Sequence, residues 1–262
     1  MTPSLPITVC MMCLNEASRL PISLERINEF AEWIVLDTGS SDDTVEIARR
    51  HGATVRSITW AGFSETRRAH FLMATQPWIL WLDADEVITA ELVAELRALF
   101  QGDTPPPHAA YRINRIMHFE GQWIRFGDWY PDRVLRLFRA DAWSISPRSV
   151  HESVEISGSI GRLRHELPHY SYRSWRDREE RIVNYARLWA RQEASQGRSC
   201  NSWEPAARAG WRFIRNYLIK GGIRGGRLGL RIALSCGRET WLKYAALAPS
   251  ARPLADISKR RV

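Results

Sequence analysis

The first hundred residues of this 262-residue chain alternate short apolar runs with amphipathic segments. This alternation predicts four strands, each followed by a helix. The predicted strands are ITVCMMCL (7–14), WIVLD (33–37), ATVRSI (53–58) and WILWLD (78–83), and the predicted helices are 17–31, 41–51, 63–74 and 89–100. Elements of these lengths are typical of βαβ units, whose crossovers produce a mainly parallel sheet flanked by helices. The predicted fold class is therefore α/β.

A proline-rich break, QGDTPPPH (101–108), ends this rhythm. Strand-like segments at 109–119 and 133–139 follow it, and helical periodicity then returns at 174–196, 203–220 and 227–247. We therefore predict one domain over residues 1–172, with halves at 1–103 and 104–172, and a helical extension over 173–262.

Charge is distributed unevenly along the chain. Residues 1–100 carry 8 basic and 14 acidic side chains, residues 101–262 carry 29 and 15, and the last 55 residues carry 13 and 2. A strongly basic segment favours a polyanionic partner, such as nucleic acid, anionic lipid or a phosphorylated acceptor.

The last two predicted helices are both basic and amphipathic. We expect their arginines to form a basic face for a membrane or an acceptor: Arg212, Arg215, Arg227 and Arg231. Helices of this kind can lie in a membrane interface, with Trp at headgroup depth. Packing of their apolar stripes onto the rest of the chain is an equally weighted alternative.

No targeting segment or membrane span is expected, because the chain has no basic n-region before an apolar h-region and no apolar run of about 18 residues. This favours a cytoplasmic location. Cys10 and Cys13 have C-x-x-C spacing, but an offset of three within a predicted strand places them on opposite faces. We therefore expect core packing rather than a redox or zinc pair.

Carboxylates follow three of the predicted strands at the point where each strand ends. Glu16 follows the first strand, Asp37 ends the second, and Asp83, Asp85 and Glu86 follow the apolar run WILWL. Ligands of open α/β sheets bind at the carboxyl ends of strands, so we expect these acids at one sheet edge. Acids gathered there would repel one another, and Mg²⁺ or Mn²⁺ would relieve that repulsion while also binding the phosphate oxygens of a nucleoside diphosphate.

Four segments of the first half carry a family resemblance: MMCLNEASRL, WIVLDTGSSDDTVEIARRHGATV, WAGFSETRRA and WILWLDADE. In this order they resemble the nucleotide-sugar-binding half of family 2, GT-A fold glycosyltransferases. Later segments, including WYPDRVLRLFR, VHESVEISG and LPHYSYRSW, resemble small bacterial enzymes that add β-linked glucose to the inner core of lipopolysaccharide. The resemblance covers nearly the whole chain and implies that 1–103 binds the nucleotide sugar and 104–172 the acceptor.

Roles in donor binding follow from the resemblance. It implies that Asp37 binds the uracil, that Asn15 and Glu16 contact the nucleoside, and that Arg67 lies near the diphosphate. Asp83 would face the ribose and a metal-bound water.

Metal binding and proton removal involve other residues. The resemblance implies Asp85 as the direct metal ligand and allows His169 to reach the metal or the diphosphate. In an inverting transfer the base lies across from the leaving diphosphate, so it must be a separate acid from the acceptor half. Glu152 is the first candidate, and Asp128 and Asp132 are the alternatives.

Together these features predict an inverting, metal-dependent hexosyltransferase. It would move a hexose, with glucose the first candidate, from a UDP-sugar to a lipopolysaccharide core or related lipid-linked acceptor, at the inner face of the cytoplasmic membrane. Nucleic acid is not an expected partner. A non-enzymatic basic protein that binds nucleic acid or anionic lipid is the alternative, and a nucleotidyltransferase is less favoured because LNEASRL lacks a glycine-rich loop. Arg68 and GGIRGG (221–226) depart from the family pattern and leave the donor and acceptor open.

Overall fold

A computed structural model describes residues 3–60, 62–102, 104–145 and 154–247. The chain forms two compact units, each built from two chain segments: Met1–Ile116 with Asp132–Ser171, and Met117–Pro131 with Tyr172–Val262. The later segment of the second unit begins next to the predicted boundary at residue 173. Residues 117–131, by contrast, belong to the second unit and not to the predicted acceptor half.

The described elements follow one another along the chain. In order they are β1 (Leu5–Cys13), α1 (Leu20–Ser23), β2 (Phe30–Asp37), α2 (Thr44–Arg50), β3 (Thr54–Ser57), α3 (Phe63–Phe71), β4 (Trp78–Asp83), α4 (Ala90–Leu99), β5 (Ala110–Phe119), β6 (Gln122–Ile124), β7 (Asp132–Arg139), β8 (Trp143–Ile145), β9 (Val154–Ile156), β10 (Ile160–His169), α5 (Trp175–Ser195), α6 (Glu204–Ile214) and α7 (Gly226–Ala245).

The main sheet of the first unit has the strand order β10-β5-β7-β4-β1-β2-β3. Strands β3, β2, β1 and β4 are parallel, whereas β7 is antiparallel to both β4 and β5. Cys13 is opposite Asp37, and Met12 is opposite Asp83. The chain therefore leaves β1, β2 and β4 at the same sheet edge, and the predicted α/β fold with a mainly parallel sheet is confirmed.

Both faces of the central strands are buried. Met11 and Leu80 pack into one cluster, and Cys10, Ile79 and Phe138 pack into another. Full burial of such a side chain contributes about 1.5–3 kcal/mol, so these strands hold the sheet edge in place.

The two cysteines of the C-x-x-C sequence are free and buried in different core clusters, Cys13 in the first and Cys10 in the second. Burial raises the pKa of both thiols, with nearby carboxylates adding to the effect. The prediction of core packing is therefore confirmed.

Two local predictions were wrong. The helix expected over 17–31 is only the single turn α1 followed by a 3₁₀ turn at Ile27–Glu29, because β2 begins at the buried Phe30. Strand β10 was not predicted at all. Its segment IGRLRHELPH buries every second residue at several positions. Because two of the buried residues are Gly161 and His169, the sequence shows no clear alternation of apolar and polar residues.

The second unit contains the three helices predicted after residue 172. The Ser174 side chain accepts a hydrogen bond from the Asp177 N–H at 3.1 Å and so caps α5. Helix α6 continues into a π-helical turn, Arg215–Ile219. The core of this unit contains Phe119, Ile124, Leu228, Ile232 and Cys236.

The apolar stripes of the last two helices face solvent. Trp211, Ile214 and Leu218 are 59%, 43% and 56% exposed, and Leu234 is 55% exposed. Packing of these stripes onto the rest of the chain is therefore wrong for these positions. Among the described residues, no helix is long and apolar enough to cross a bilayer.

Candidate active site

The acidic loop after β4 lies at the sheet edge, but one of its acids is buried. Glu86 is 0% exposed, whereas the Asp83 and Asp85 side chains are 40% and 15% exposed. The backbone N–H of Asp83 donates to Glu86 Oε2 at 3.0 Å, and the N–H of Glu86 donates to the Asp83 carbonyl at 3.0 Å. The buried Glu86 therefore holds the loop in place through these hydrogen bonds. The expectation that all three acids lie at the exposed sheet edge is wrong for Glu86.

Arginines from β7 and β5 neutralise this cluster. Arg136, with a side chain only 3% exposed, lies 2.6 Å from Glu86 Oε1 and also pairs with Asp83. Arg115 lies 3.1 Å from Glu86 Oε1, 3.7 Å from Asp83 Oδ2 and 2.7 Å from Asp132 Oδ2. The expectation that a cation must relieve the repulsion between the acids is therefore wrong for Asp83 and Glu86, because the chain supplies its own cations.

The pKa of Arg136 shifts toward its charged form, whereas that of Glu86 shifts toward its neutral form. Burial raises the pKa of Glu86, and the charge of Arg136 opposes that rise. Burial acts to lower the pKa of Arg136, but the charges of Asp83 and Glu86 outweigh it and raise the pKa above its ordinary value. Arg136 is therefore a permanent buried cation.

Asp85 has different partners. Its Oδ1 lies 3.4 Å from His169 Nε2, and its Oδ2 lies 3.6 Å from Arg19 Nη1. The Tyr170 N–H donates to the Asp85 carbonyl at 2.8 Å, which joins the end of β10 to the acidic loop. Burial acts to raise the pKa of Asp85, but His169 and then Arg19 lower it below its ordinary value. Asp85 is therefore an anion at neutral pH.

The loops after β1 and β2 are joined by hydrogen bonds. Asn15 has φ 55°, and its Oδ1 accepts from the Ser41 N–H at 2.8 Å while its own N–H donates to Ser40 Oγ at 2.9 Å. Asp37 is 5% exposed and accepts N–H groups of Gly39 and Ser40 at 3.1 and 3.2 Å. These bonds fix the edge where a nucleoside was expected.

Glu16 pairs with a cation that also reaches the acidic loop. Its Oε1 lies 2.6 Å from Arg19 Nη2, and Arg19 Nη1 is the atom that faces Asp85. The structure therefore brings Glu16, Asp85 and His169 together through Arg19.

Two arginine guanidinium groups lie over the indole ring of Trp81 on β4. The Cζ atom of Arg67 lies 4.0 Å from the indole centroid, and that of Arg136 lies 4.5 Å from it. A fixed planar guanidinium suits recognition of a phosphate. Arg67 is thus held next to the strand that leads into the acidic loop.

The candidate bases differ in their surroundings. Glu152 lies outside the described residues. Asp132 is in the first unit, where it binds Arg115 and its side chain is 38% exposed. Asp128 is in the second unit with a side chain only 5% exposed, and it pairs with Arg212 at 3.1 Å and with Arg215.

Two arginines of the predicted basic face take part in this pairing. Arg212 and Arg215 bind Asp128 and are not free cations. Arg227 is exposed, and Arg231 places its Cζ atom 4.2 Å from the ring of Trp175.

Sequence reasoning predicted Arg67 but missed the arginines that pair with the acids. Arg136 was detectable, since RVLRLFR places this arginine among apolar residues of a strand, where a charge needs a partner. The sequence around Arg115 and Arg19 has no such apolar surroundings to indicate a paired arginine.

The comparison with protein families identifies the chain. The model of glycosyl transferase family 2 matches residues 8–142, just over half of the chain, including the acidic loop and both arginine-bearing strands β5 and β7. The chain belongs to this family and is a glycosyltransferase, as the resemblance of its motifs indicated.

Two curated relatives are similar over most of their length. The lipopolysaccharide core biosynthesis glycosyltransferase LpsC of Rhizobium meliloti is 26% identical over 271 residues, which is 98% of each chain. An uncharacterized glycosyltransferase of Rickettsia prowazekii is 26% identical over 234 residues, covering 82% of this chain and 77% of the other.

A solved structure is similar only in part. Glucosyl-3-phosphoglycerate synthase of Mycobacterium tuberculosis, in complex with Mn²⁺, UDP and glucosyl-3-phosphoglycerate, is 24% identical with a TM-score of 0.34. The match covers 43% of this chain and 44% of that one, less than half of its length. This partial likeness carries no argument about ligands.

Proposed function

We propose that this glycosyltransferase moves a hexose, with glucose as our first candidate, from a UDP-sugar to a lipopolysaccharide core or related lipid-linked glycan. The observation that carries the proposal is Asp85, an anionic carboxylate held by His169 and Arg19 at the edge where β1, β2 and β4 end. Donor nucleotides of open α/β sheets bind at this edge.

A divalent cation fits the residues present. Among the described residues, no cluster of three or more His, Cys, Asp or Glu side chains could hold a metal by itself. Mg²⁺ typically takes one or two protein carboxylates and completes its shell with phosphate oxygens and water. Asp85 with His169 would hold such an ion, which would supply positive charge to the leaving diphosphate.

The chain's own residues supply the remaining electrostatics. Arg67 on Trp81 is our candidate for the diphosphate, and the joined loops of Asn15 and Asp37 are our candidates for the nucleoside. The buried pair of Arg136 and Glu86 keeps Asp83 in position. Preorganised groups of this kind stabilise developing charge without reorganising during the reaction.

Proton removal requires a group outside the acidic loop. In an inverting transfer the acceptor hydroxyl attacks from the side opposite the leaving group, so its base cannot be Asp85. We propose Glu152 as this base and Asp132 as the alternative, and the engaged, buried carboxylate of Asp128 is the least suited of the three.

The acceptor proposal has separate support. The similarity to LpsC, a glycosyltransferase of lipopolysaccharide core biosynthesis, extends over 98% of both chains. An acidic glycan anchored in lipid also suits the basic second half of this chain. We propose that the enzyme acts from the cytoplasm at the inner face of the cytoplasmic membrane.

Calorimetric titration tests the donor site first. UDP-glucose, UDP-galactose, UDP-N-acetylglucosamine and GDP-mannose would be titrated with and without Mn²⁺ into wild type, Asp85→Ala and the control Asp141→Ala, whose exposed carboxylate pairs with Arg139. We expect Mn²⁺-dependent binding of one UDP-sugar that is lost only in Asp85→Ala. If no nucleotide sugar bound to wild type, the donor proposal would be rejected.

The alternative expected from sequence, a non-enzymatic basic protein that binds nucleic acid, does not fit membership of the glycosyltransferase family. It is favoured only by the charge and tryptophan content of the second half, and it leaves the acidic edge unexplained. Such a protein would bind a polynucleotide with steep salt dependence and would be indifferent to Asp85→Ala.

A further inference from the structure

The turn between α6 and α7 combines exposed aliphatic side chains with unpaired cations. We call residues 218–227 the α6–α7 turn. Leu218, Ile219 and Ile223 are 56%, 62% and 54% exposed. The cations of the same turn, also exposed, are Lys220, Arg224 and Arg227. Within the described part of the chain, no carboxylate lies within ion-pairing distance of these three cations.

The surrounding sequence offers these cations no counter-charge. Residues 205–238 contain eight Arg or Lys and no Asp or Glu. Several of these cations find acids elsewhere in the second unit: Arg208 pairs with Glu204, and Arg212 and Arg215 pair with Asp128. The positive charge that is left over is therefore concentrated on the turn.

The backbone of the turn is held by hydrogen bonds and by close packing at two glycines. The Lys220 carbonyl accepts the Gly127 N–H at 2.9 Å, and the Lys220 N–H donates to the Arg215 carbonyl at 2.8 Å. A Cβ atom at Gly222 would lie 2.7 Å from the Asn216 carbonyl oxygen. One at Gly229 would lie 1.9 Å from the Gly222 carbonyl oxygen. This close backbone packing holds the turn against the rest of the second unit, with Leu218, Ile219 and Ile223 exposed.

Exposed apolar residues continue from the turn along both helices. They are Trp211 and Ile214 on α6, at 59% and 43% exposure, and Leu230, Leu234 and Trp241 on α7, at 38%, 55% and 47%. Tryptophan is favoured at the depth of lipid headgroups, and Leu and Ile are favoured below them.

The chemistry of the turn favours one partner. We propose that the α6–α7 turn docks on an anionic lipid surface, with Leu218, Ile219 and Ile223 in the acyl boundary and its three cations on headgroup phosphates. Single-stranded nucleic acid would be bound by stacking, and residues 218–227 contain no aromatic side chain. The reason for docking rests on the proposed function, since a lipid-linked acceptor is found only at a membrane.

This proposal moves the membrane contact away from the residues expected from sequence. Arg212 and Arg215 were expected to contribute, but they bind Asp128 inside the second unit. Lys220 and Arg224 replace them, together with the predicted Arg227.

Vesicle sedimentation without any nucleotide sugar tests the turn. Vesicles of phosphatidylglycerol with phosphatidylethanolamine would be compared with phosphatidylcholine alone. The first variant is Leu218→Gln/Ile219→Gln/Ile223→Gln, and the second is Lys220→Gln/Arg224→Gln/Arg227→Gln. Controls are Leu72→Gln/Leu188→Gln, which alters leucines 66% and 60% exposed, and Arg212→Gln/Arg215→Gln.

We expect wild type to bind the anionic vesicles preferentially. Each cation near an anionic surface contributes about a fivefold factor, so the cation variant should lose about 100-fold in affinity. The aliphatic variant should lose about tenfold or more. Both controls should stay within about twofold of wild type. Leu72 and Leu188 lie outside the turn, and Arg212 and Arg215 are already paired with Asp128 in the wild type. Circular dichroism would verify folding of each variant.

A fluorescent label gives a direct reading of insertion. The four cysteines of the chain are buried, so a cysteine introduced at Ile219 would be the reactive one. A polarity-sensitive dye on Ile219→Cys should shift to shorter wavelength with anionic vesicles, and the same dye on Leu188→Cys should not.

Two results would overturn the docking proposal: equal binding of wild type and both turn variants, or no shift of the label at residue 219. Polynucleotide binding that requires the turn cations, without vesicle binding, would reassign the turn to nucleic acid. Donor binding is measured separately by calorimetry, so vesicle binding without UDP-sugar binding would reject the proposed reaction and leave the lipid contact in place.

Discussion

The acidic edge of the first unit and the α6–α7 turn of the second use arginine in opposite ways. Arg136 is 3% exposed and lies between Asp83 and Glu86, so its charge is used within the fold. Arg224 and Arg227 face solvent with no acid at hand among the described residues. The net charge of +8 therefore says little by itself. A charge matched inside the fold holds a site in place, and an unmatched charge at the surface is available to a partner.

The largest loss of stability is expected for Arg136→Met at the acidic edge. Removing Arg136 leaves the buried Glu86 with the less buried Arg115 as its remaining cation, which should lower the free energy of unfolding by about 3 kcal/mol, the lower end of the range for a broken buried ion pair. Denaturant titration would measure the change. Arg139→Met on the same strand is the matched control, because Arg139 is 50% exposed and should leave the midpoint close to wild type. Equal losses in the two variants would show that Arg136 is not acting as a buried partner.

A smaller effect is expected at Asn15, where geometry rather than charge fixes the edge. Its φ of 55° suits Asn or Gly, so Asn15→Ala should cost about 1–2 kcal/mol of stability. Asn15→Gly relieves the backbone but still loses the bond to Ser41, and it should be the less destabilised variant. Thermal unfolding of the pair would separate the two contributions, and a reversed order would contradict this account.

Arg67→Ala should act mainly on the donor. Loss of a charged hydrogen bond from the Arg67 guanidinium to the diphosphate should cost about 1.5–3 kcal/mol, which corresponds to a weakening of UDP-sugar binding by about tenfold or more. The control is Arg68→Ala, because the neighbouring Arg68 is exposed. If both changes lowered the affinity for the UDP-sugar equally, as measured by calorimetry, the stacking of Arg67 on Trp81 would not be positioning it for the donor.

The smallest effect on folding is expected at the turn. Lys220→Gln/Arg224→Gln/Arg227→Gln should change the free energy of unfolding by less than about 0.5 kcal/mol, because no described acid depends on these cations. The same denaturant titration as for Arg136→Met would measure it. A large loss of stability would mean that the turn cations serve the fold, and the contrast with the acidic edge would disappear.

Sequence reasoning succeeded where local pattern decides the structure. The apolar runs predicted β1, β2 and β4, and their shared edge followed from the rule for parallel strands. The burial and the ion-pair partners of the acids could not be predicted from the sequence. Glu86 is buried because Arg136, fifty residues later in the chain, reaches it, and Asp128 is engaged by Arg215, 87 residues away. Pairing at such distances depends on tertiary structure, which periodicity does not contain.

The discontinuous makeup of the second unit limits how this protein can be divided or recombined. Phe119 and Ile124, at the ends of β5 and β6, share a core with Leu228, Ile232 and Cys236, which lie about a hundred residues later in the chain. A chain ending at Ser171 would keep two of these side chains and lose the three that bury them. The C-terminal helices are therefore not an interchangeable tail, and their exchange between relatives would require residues 117–131 to be transferred with them.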